Sequence, residues 1–369
     1  MINKVSIIGI GKLGLCMALS LEKAGFEVMG VDLDAKYVKD LNNKVFYSDE
    51  PLVSERLFLS EKFTATLSLE ECVNFSDLVF VVVATPSLTN GRYDHSQVNK
   101  VVDEILSLGK PLKQKHLVIN CTTMPQYCET LSKKLLNHNW TISYNPEFIA
   151  QGTIIENQEK PDMVLIGETS KTAGDILEFV YKKMTTNNPR VYRMSTTEAE
   201  ICKLSLNCFL TTKIAYTNMI GDIVKKSGGN PQKVLDAIGE DTRVGHKLTR
   251  YGFGYGGPCF PRDNRAIGIY ANDLGLRAEI SKATDIENQM HLDFQVKEFL
   301  NSGKKQYRTK YVTYKPGSIL LTESQQLLFC IKLANQGVDV TICERRVVID
   351  ELKDEYGGLF TYEVLDDNL

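Results

Sequence analysis

No stretch of this 369-residue chain approaches the roughly 18 to 20 consecutive apolar residues needed to cross a bilayer, which argues against a membrane-spanning helix. Nor is there an excess of one charge. The 43 Lys and Arg stand against 46 Asp and Glu, a formal net charge of −3, so neither nucleic acid nor an anionic membrane is an expected partner and small molecules are. The nine cysteines are odd in number and include no Cys-x-x-Cys pair, which speaks against a disulfide framework and against a structural zinc site; no metal is expected. Met1 leads straight into a strand-like segment without a signal-peptide pattern. These absences together predict a protein of the reducing cytoplasm. What is present is ordinary: 43% hydrophobic and 24% charged residues, a composition typical of folded globular chains, in a length that suits two or three domains.

The first 190 or so residues alternate short β-rich runs with helical patterns. Strands are predicted at Val5 to Ile8, Val28 to Val31, Leu78 to Ala84, Leu117 to Asn120, Thr141 to Tyr144 and Met163 to Ile166. Runs such as Leu78-Val79-Phe80-Val81 are apolar without alternation, as in a parallel sheet covered by helices on both faces. From Thr196 there is no proline until Pro231, and apolar residues recur at helical spacing, which predicts a long helix. Helical sequence continues to about Ser302, broken by the glycine-dense stretch Gly252 to Gly257, which reads as a loop. Beyond Lys304 a shorter α/β pattern is predicted: a strand at Tyr311 to Tyr314, a helix around Ser324 to Asn335 capped by Gly337, and a strand at Val338 to Cys343. The expected organisation is a Rossmann-type α/β domain over 1–195, a central helical domain over 196–303 and a small C-terminal α/β domain over 304–369.

Gly9-Ile10-Gly11-Lys12-Leu13-Gly14 follows the first strand and opens an amphipathic helix that stops near Gly25. In that context the first glycine permits a tight turn, the second lets the backbone approach a pyrophosphate, and the third lets helix and strand pack closely. Asp32 stands at the end of the second strand, where its carboxylate can accept from ribose hydroxyls and would repel a 2′-phosphate. This predicts NAD rather than NADP, with a flavin as the alternative occupant.

The most informative stretch is Gly254-Tyr255-Gly256-Gly257-Pro258-Cys259-Phe260-Pro261-Arg262-Asp263. Together with the fingerprint, Val83-Ala84-Thr85-Pro86, Thr122-Thr123-Met124-Pro125, Asn145-Pro146-Glu147-Phe148, Glu200 to Asn207, Asp241-Thr242-Arg243-Val244-Gly245 and Tyr314-Lys315-Pro316-Gly317, it resembles the UDP-glucose/GDP-mannose dehydrogenase family over nearly the whole chain. The resemblance implies oxidation of a nucleotide sugar's primary alcohol to an acid in two hydride transfers. A thiolate suits that chemistry: it captures the intermediate aldehyde as a thiohemiacetal, which is oxidised to a thioester that water cleaves. Cys259 is the expected nucleophile, and the other eight cysteines lie in apolar or helical surroundings as small core residues.

By the same resemblance Lys203 and Asn207, four residues apart on one helical face, supply oxyanion donors. Asp263 and Thr123 hold a water for proton transfer, and Glu147 is the general base for thioester hydrolysis. Thr85, Thr123, Gln151 and Arg262 join the glycine turn and Asp32 around the cofactor. Phe148, Ile149, Arg243, Arg250, Tyr251, Gly256 and Lys315 join Glu147, Lys203 and Asn207 around the substrate. A homodimer through the long central helix is also implied.

Three departures bear on specificity. Gln151 stands where the family has a second glutamate, and Arg262 where it has lysine. After Lys315-Pro316, the family's acidic and arginine positions are replaced by Ser318-Ile319-Leu320-Leu321-Thr322, in a C-terminal domain shorter than is usual for the family. Two other readings stand beside the four-electron one: a two-electron hydroxyacid-type dehydrogenase, which has no use for the cysteine loop, and a nucleotide-binding protein without turnover.

Overall fold

The apolar runs Lys4–Ile8 (β1) and Leu78–Val81 (β4) are buried along nearly every residue, because helices cover the sheet on both sides. Successive side chains enter opposite cores: Ile7, Phe80 and Ile166 join one cluster, Ile8, Val79 and Leu165 the other. The remaining strands of this sheet are Glu27–Val31 (β2), Phe63–Thr66 (β3), Lys115–Ile119 (β5), Trp140–Tyr144 (β6), Met163–Glu168 (β7) and Arg190–Met194 (β8). Their order is β3-β2-β1-β4-β5-β6-β7-β8, and every pairing is parallel except β6 with β7. The chain changes direction across the sheet between β1 and β4, the kind of crevice in which open α/β sheets bind ligands beyond their strand C-termini.

The computed structural model describes residues 2–365 and resolves into two compact units, one ending at Lys203 and the other beginning at Leu204. The first unit holds the eight-stranded sheet and, among its helices, Lys12–Lys23 (α1) and Ile154–Glu159 (α2). Helix Thr196–Lys226 (α3), the predicted proline-free helix, contains the division. The second unit carries Phe260–Asp273 (α4), Glu279–Asn301 (α5) and a parallel sheet of Gln306–Lys310 (β9), Asp339–Glu344 (β10) and Thr361–Val364 (β11), ordered β11-β10-β9. Helix Gln325–Ala334 (α6) packs Leu327, Cys330 and Leu333 against Val340 and Ile342 in the core of this sheet.

Several local predictions need correcting. The strand expected at Tyr311 to Tyr314 lies earlier, at β9, because Tyr311 turns to a φ of 60° and ends it. The Leu78 strand stops at Val81 rather than Ala84. Asn335 is the C-cap of α6, and Gly337 takes the left-handed conformation two residues beyond it. Strands β3, β8 and β11 were absent from the sequence reading.

Candidate active site

The turn between β1 and α1 is built by steric necessity. Gly9 has a φ of +88°, and a Cβ on Gly14 would lie 2.0 Å from the Gly9 carbonyl oxygen. Ile10 is fully buried, so this residue offers its backbone rather than its side chain to the turn's outer face. A Cβ on Gly11 would meet no atom within 4 Å, so the start of α1 is open where its first N–H groups lack intrahelical acceptors. At the end of β2, Asp32 Oδ1 accepts from the N–H groups of Leu33 (2.8 Å) and Asp34 (3.3 Å), which fixes its carboxylate. Past β4 and β5, Thr85 Oγ1 donates to the Thr122 carbonyl at 2.8 Å.

Glu147 follows β6. Burial pushes its carboxyl up to about 7, against the opposing pull of the Asn120 side chain, the Lys203 ammonium and the Gln158 side chain. Its Oε1 is buried, and Glu147 lines a small cavity with Asn145, Pro146, Gln158 and Tyr181. Lys203 Nζ donates to the Glu147 backbone carbonyl at 2.8 Å and lies 4.7 Å from the centre of the Phe148 ring. Glu147 and Lys203, each expected at the site, are therefore brought together from 56 residues apart, through the main chain of one and the ammonium of the other. Thr123 is fully buried, and its hydroxyl donates to Glu200 Oε1 at 2.8 Å. Glu200 also accepts from the N–H groups of Gln126 (2.7 Å) and Cys128 (2.9 Å), so one buried carboxylate organises the whole turn after β5. Burial pushes that carboxyl up, while these hydrogen bonds draw it down.

In the second unit Cys259 is exposed at the N-cap position of the 14-residue α4. The partial positive charge of a helix N-terminus favours a thiolate there. Asp263, one turn on, donates its N–H to the Cys259 carbonyl at 2.9 Å, and its buried Oδ2 accepts from Asn207 Nδ2 at 2.6 Å. Arg262 Nε lies 3.5 Å from Asp263 Oδ1. The glycines ahead of Cys259 are explained by protein packing. A Cβ on Gly256 would sit 2.2 Å from the Glu323 carbonyl oxygen, and one on Gly257, whose φ is +84°, would strike the Tyr314 ring at 2.4 Å. Gly257 also donates its N–H to the Thr322 carbonyl at 2.9 Å, so the altered segment after Lys315 is part of the wall that shapes the loop.

Comparison with known proteins identifies the family. The model of the UDP-glucose/GDP-mannose dehydrogenase family's NAD binding domain matches residues 3–185, and that of its central domain matches residues 197–290. The chain is 31% identical to a UDP-glucose 6-dehydrogenase of Pseudomonas aeruginosa, over 91% of this chain and 78% of that protein. It is 27% identical to a GDP-mannose 6-dehydrogenase of Pseudomonas syringae, over 93% and 81%. Among solved structures, a UDP-glucose dehydrogenase from the archaeon Pyrobaculum islandicum superposes with a TM-score of 0.88 at 26% identity, covering 100% of this chain and 87% of that one. The chain belongs to the UDP-glucose/GDP-mannose dehydrogenase family.

This nucleotide-sugar dehydrogenase uses NAD, and its residues fit that cofactor. The open face at Gly11, the first-turn amides of α1 that lack intrahelical acceptors, and the fixed carboxylate of Asp32 suit a pyrophosphate and an unphosphorylated ribose. Gln151 lies in the loop before α2, beside Gly152 and Ile154, whose N–H groups donate to the buried carboxylate of Glu50 at 2.9 and 2.8 Å. Among the other residues expected in the dehydrogenase's site, Phe148 and Ile149 are half-buried beside Glu147. Tyr251 donates its hydroxyl to Asp222 at 2.6 Å. Arg243 is exposed and pairs with Asp241 at 2.6 Å, Arg250 is exposed, and Lys315 lies 5.8 Å from the Tyr314 ring centre. Asn120 and Gln158 carry no motif signal in the sequence, and Glu200 has one only as the first residue of the Glu200 to Asn207 stretch.

Proposed function

We propose that this dehydrogenase carries out a four-electron oxidation, converting the primary alcohol of a nucleotide sugar to a uronic acid with Cys259 as the covalent nucleophile. The observation that carries this reading is an exposed cysteine at the N-cap of α4, in a loop whose glycines are held by close packing. NAD, when bound, supplies the hydride acceptor for both oxidations. The Cys259 thiolate adds to the aldehyde carbon, forming a C–S bond and an oxyanion that takes a proton to become the thiohemiacetal. Asn207 and Lys203 serve as donors to that oxyanion, and Asp263, whose carboxylate holds the Asn207 amide, keeps the donor oriented. Loss of hydride from the thiohemiacetal carbon and of the hydroxyl proton leaves the thioester. Glu147 then takes a proton from water, which attacks the thioester carbonyl. The C–S bond breaks, and carboxylate and thiolate are released.

The cofactor side of this reading takes in Gly9 to Gly14, Asp32, Thr85, Thr123, Gln151 and Arg262, with Thr123 acting through its neighbours because its hydroxyl is given to Glu200. Phe148, Ile149, Arg243, Arg250, Tyr251, Gly256 and Lys315 are assigned to the substrate side, Tyr251 and Gly256 as scaffolding for it. The relatives named for UDP-glucose and for GDP-mannose suggest a purine or pyrimidine diphosphate sugar. The family segments 3–185 and 197–290 support a domain limit near 195, and the limit at 303 stays part of this proposal. A homodimer through α3 is supported by Phe209, Tyr216 and Ile223, which recur every seventh residue and are 68%, 51% and 56% exposed. Such a repeat is the seam along which two helices pack. Among the described residues no helix is long and apolar enough to cross a membrane, and a cytoplasmic location fits this together with nine cysteines that form no disulfide.

The test is Cys259→Ser. It retains nucleotide-sugar and NAD binding by calorimetry and loses acid formation; a variant that forms acid at the parent rate would remove Cys259 from the mechanism.

A further inference from the structure

The residues before Cys259 form neither helix nor strand, so their backbone groups depend on partners from elsewhere. One face of α5 provides them. Asn288 Oδ1 accepts from the Tyr255 N–H at 3.0 Å and Asn288 Nδ2 donates to the Tyr255 carbonyl at 2.9 Å. A single side-chain amide thus pairs with both backbone groups of one residue, as a neighbouring strand would. His291 Nε2 and Gln295 Nε2 both donate to the Gly252 carbonyl, at 2.6 and 3.1 Å. His291 Nδ1 faces Asp222 Oδ2 at 2.8 Å, and the same aspartate receives the Tyr251 hydroxyl. Asp285 receives the Tyr255 hydroxyl and, at 3.0 Å, the amide of Asn264.

Asn264 follows Asp263 on α4 and is fully buried; its Nδ2 also donates to the Ser281 carbonyl at 2.9 Å, and Ser281 Oγ donates to the Asn264 carbonyl at 2.5 Å. Positions 281, 285, 288, 291 and 295 are separated by three or four residues, so they line one side of the helix. This stripe grips the chain on both sides of Cys259, at Gly252 and Tyr255 before it and at Asn264 after it. Asn288, His291 and Tyr255 are buried, so a lost partner cannot be replaced by bulk water.

We propose that the polar face of α5, centred on Asn288, positions the Cys259 thiol for capture of the aldehyde. Asn288 is a positioning residue, and the proposal rests on the reading of Cys259 as nucleophile. Thiol placement matters to the second oxidation and not to the first, so a displaced thiol lets aldehyde escape before it is trapped. A displacement on the order of 1 Å in a reacting group costs about a hundredfold in rate.

The experiment compares Asn288→Ala, Gln295→Ala and Cys259→Ser with the parent enzyme. Steady-state kinetics are measured with NAD and UDP-glucose, or with whichever of GDP-mannose, UDP-N-acetylglucosamine and UDP-N-acetylmannosamine supports turnover, and aldehyde is trapped by a hydrazine. Asn288→Ala is expected to lower kcat for acid formation about 10- to 100-fold with both KM values within about threefold, and to release trappable aldehyde. Iodoacetamide labelling of Cys259 changes rate in the same variant. Gln295→Ala leaves His291 on the Gly252 carbonyl and is expected to show the same pattern more weakly, so it carries the test if Asn288→Ala does not fold. Parent-like kcat without aldehyde, or a fall in kcat accompanied by weakened binding and no aldehyde, overturns the positioning role. If Cys259→Ser itself forms acid at the parent rate, it is the nucleophile reading that fails.

Discussion

At Glu147 the opposing influences of burial and of polar neighbours leave the carboxyl near 7 instead of its ordinary 4.5. A general base works only when ionised, so kcat for acid formation is expected to rise with pH through about 7. Glu147→Gln should abolish that limb and lower kcat by about 10²- to 10⁴-fold, as a pH series at saturating substrate will show. The same shift has a stability consequence. A carboxyl whose folded value is raised binds its proton more tightly in the native state; its contribution is complete below 4.5 and is lost as pH rises through about 7. Glu147→Gln should therefore gain thermal stability relative to the parent between pH 5 and pH 8, measured as the difference in Tm. Asp32 makes a simpler prediction: Asp32→Ser removes a charged acceptor and should lower the preference for NAD over NADP in kcat/KM by roughly 10- to 100-fold. Cys259, Glu147, Lys203 and Asp32 stand out as candidates in the sequence because each lies in a local motif. The role of Glu200 does not, because its partners Thr123, Gln126 and Cys128 lie more than seventy residues away in sequence and only the fold assembles them.

Helix α3 shows how far an element can be read from pattern. Its extent follows from the absence of proline and from helical apolar spacing, but its buried positions at Lys203, Asn207 and Thr211 are polar and give no amphipathic signal of their own. The exposed repeat of Phe209, Tyr216 and Ile223 predicts that Tyr216→Glu combined with Ile223→Glu yields a monomer by light scattering while the parent is a dimer. The central strands were legible because burial on both faces demands uninterrupted apolar runs. Strand β8, Arg-Val-Tyr-Arg-Met, lies at a sheet edge and β9, Gln-Tyr-Arg-Thr-Lys, alternates exposed and half-buried residues; neither offers such a run. The polar stripe of α5 was invisible for a related reason. Asp285, Asn288, His291 and Gln295 read as a solvated face until the loop they hold is seen against them.

At the scale of the whole molecule, a nucleotide-binding sheet and a thiol-bearing helical unit are joined through one long helix. The class of reaction was legible because several motifs occur in order, and each has a chemical reason to be there. The sugar and its base were not, since the segment from Lys315 to Thr322, where family members carry acidic and basic contacts, is largely apolar here and its backbone instead braces the cysteine loop. Nothing in the covalent mechanism depends on which sugar is used, and its electron count can be read directly. The decisive measurement is the ratio of NADH formed to sugar consumed, with the product identified by mass spectrometry, in a screen of UDP-glucose, UDP-N-acetylglucosamine, UDP-N-acetylmannosamine and GDP-mannose. The account predicts two NADH and one uronic acid per sugar from the substrate that is turned over; one NADH with a free aldehyde as the final product would contradict it.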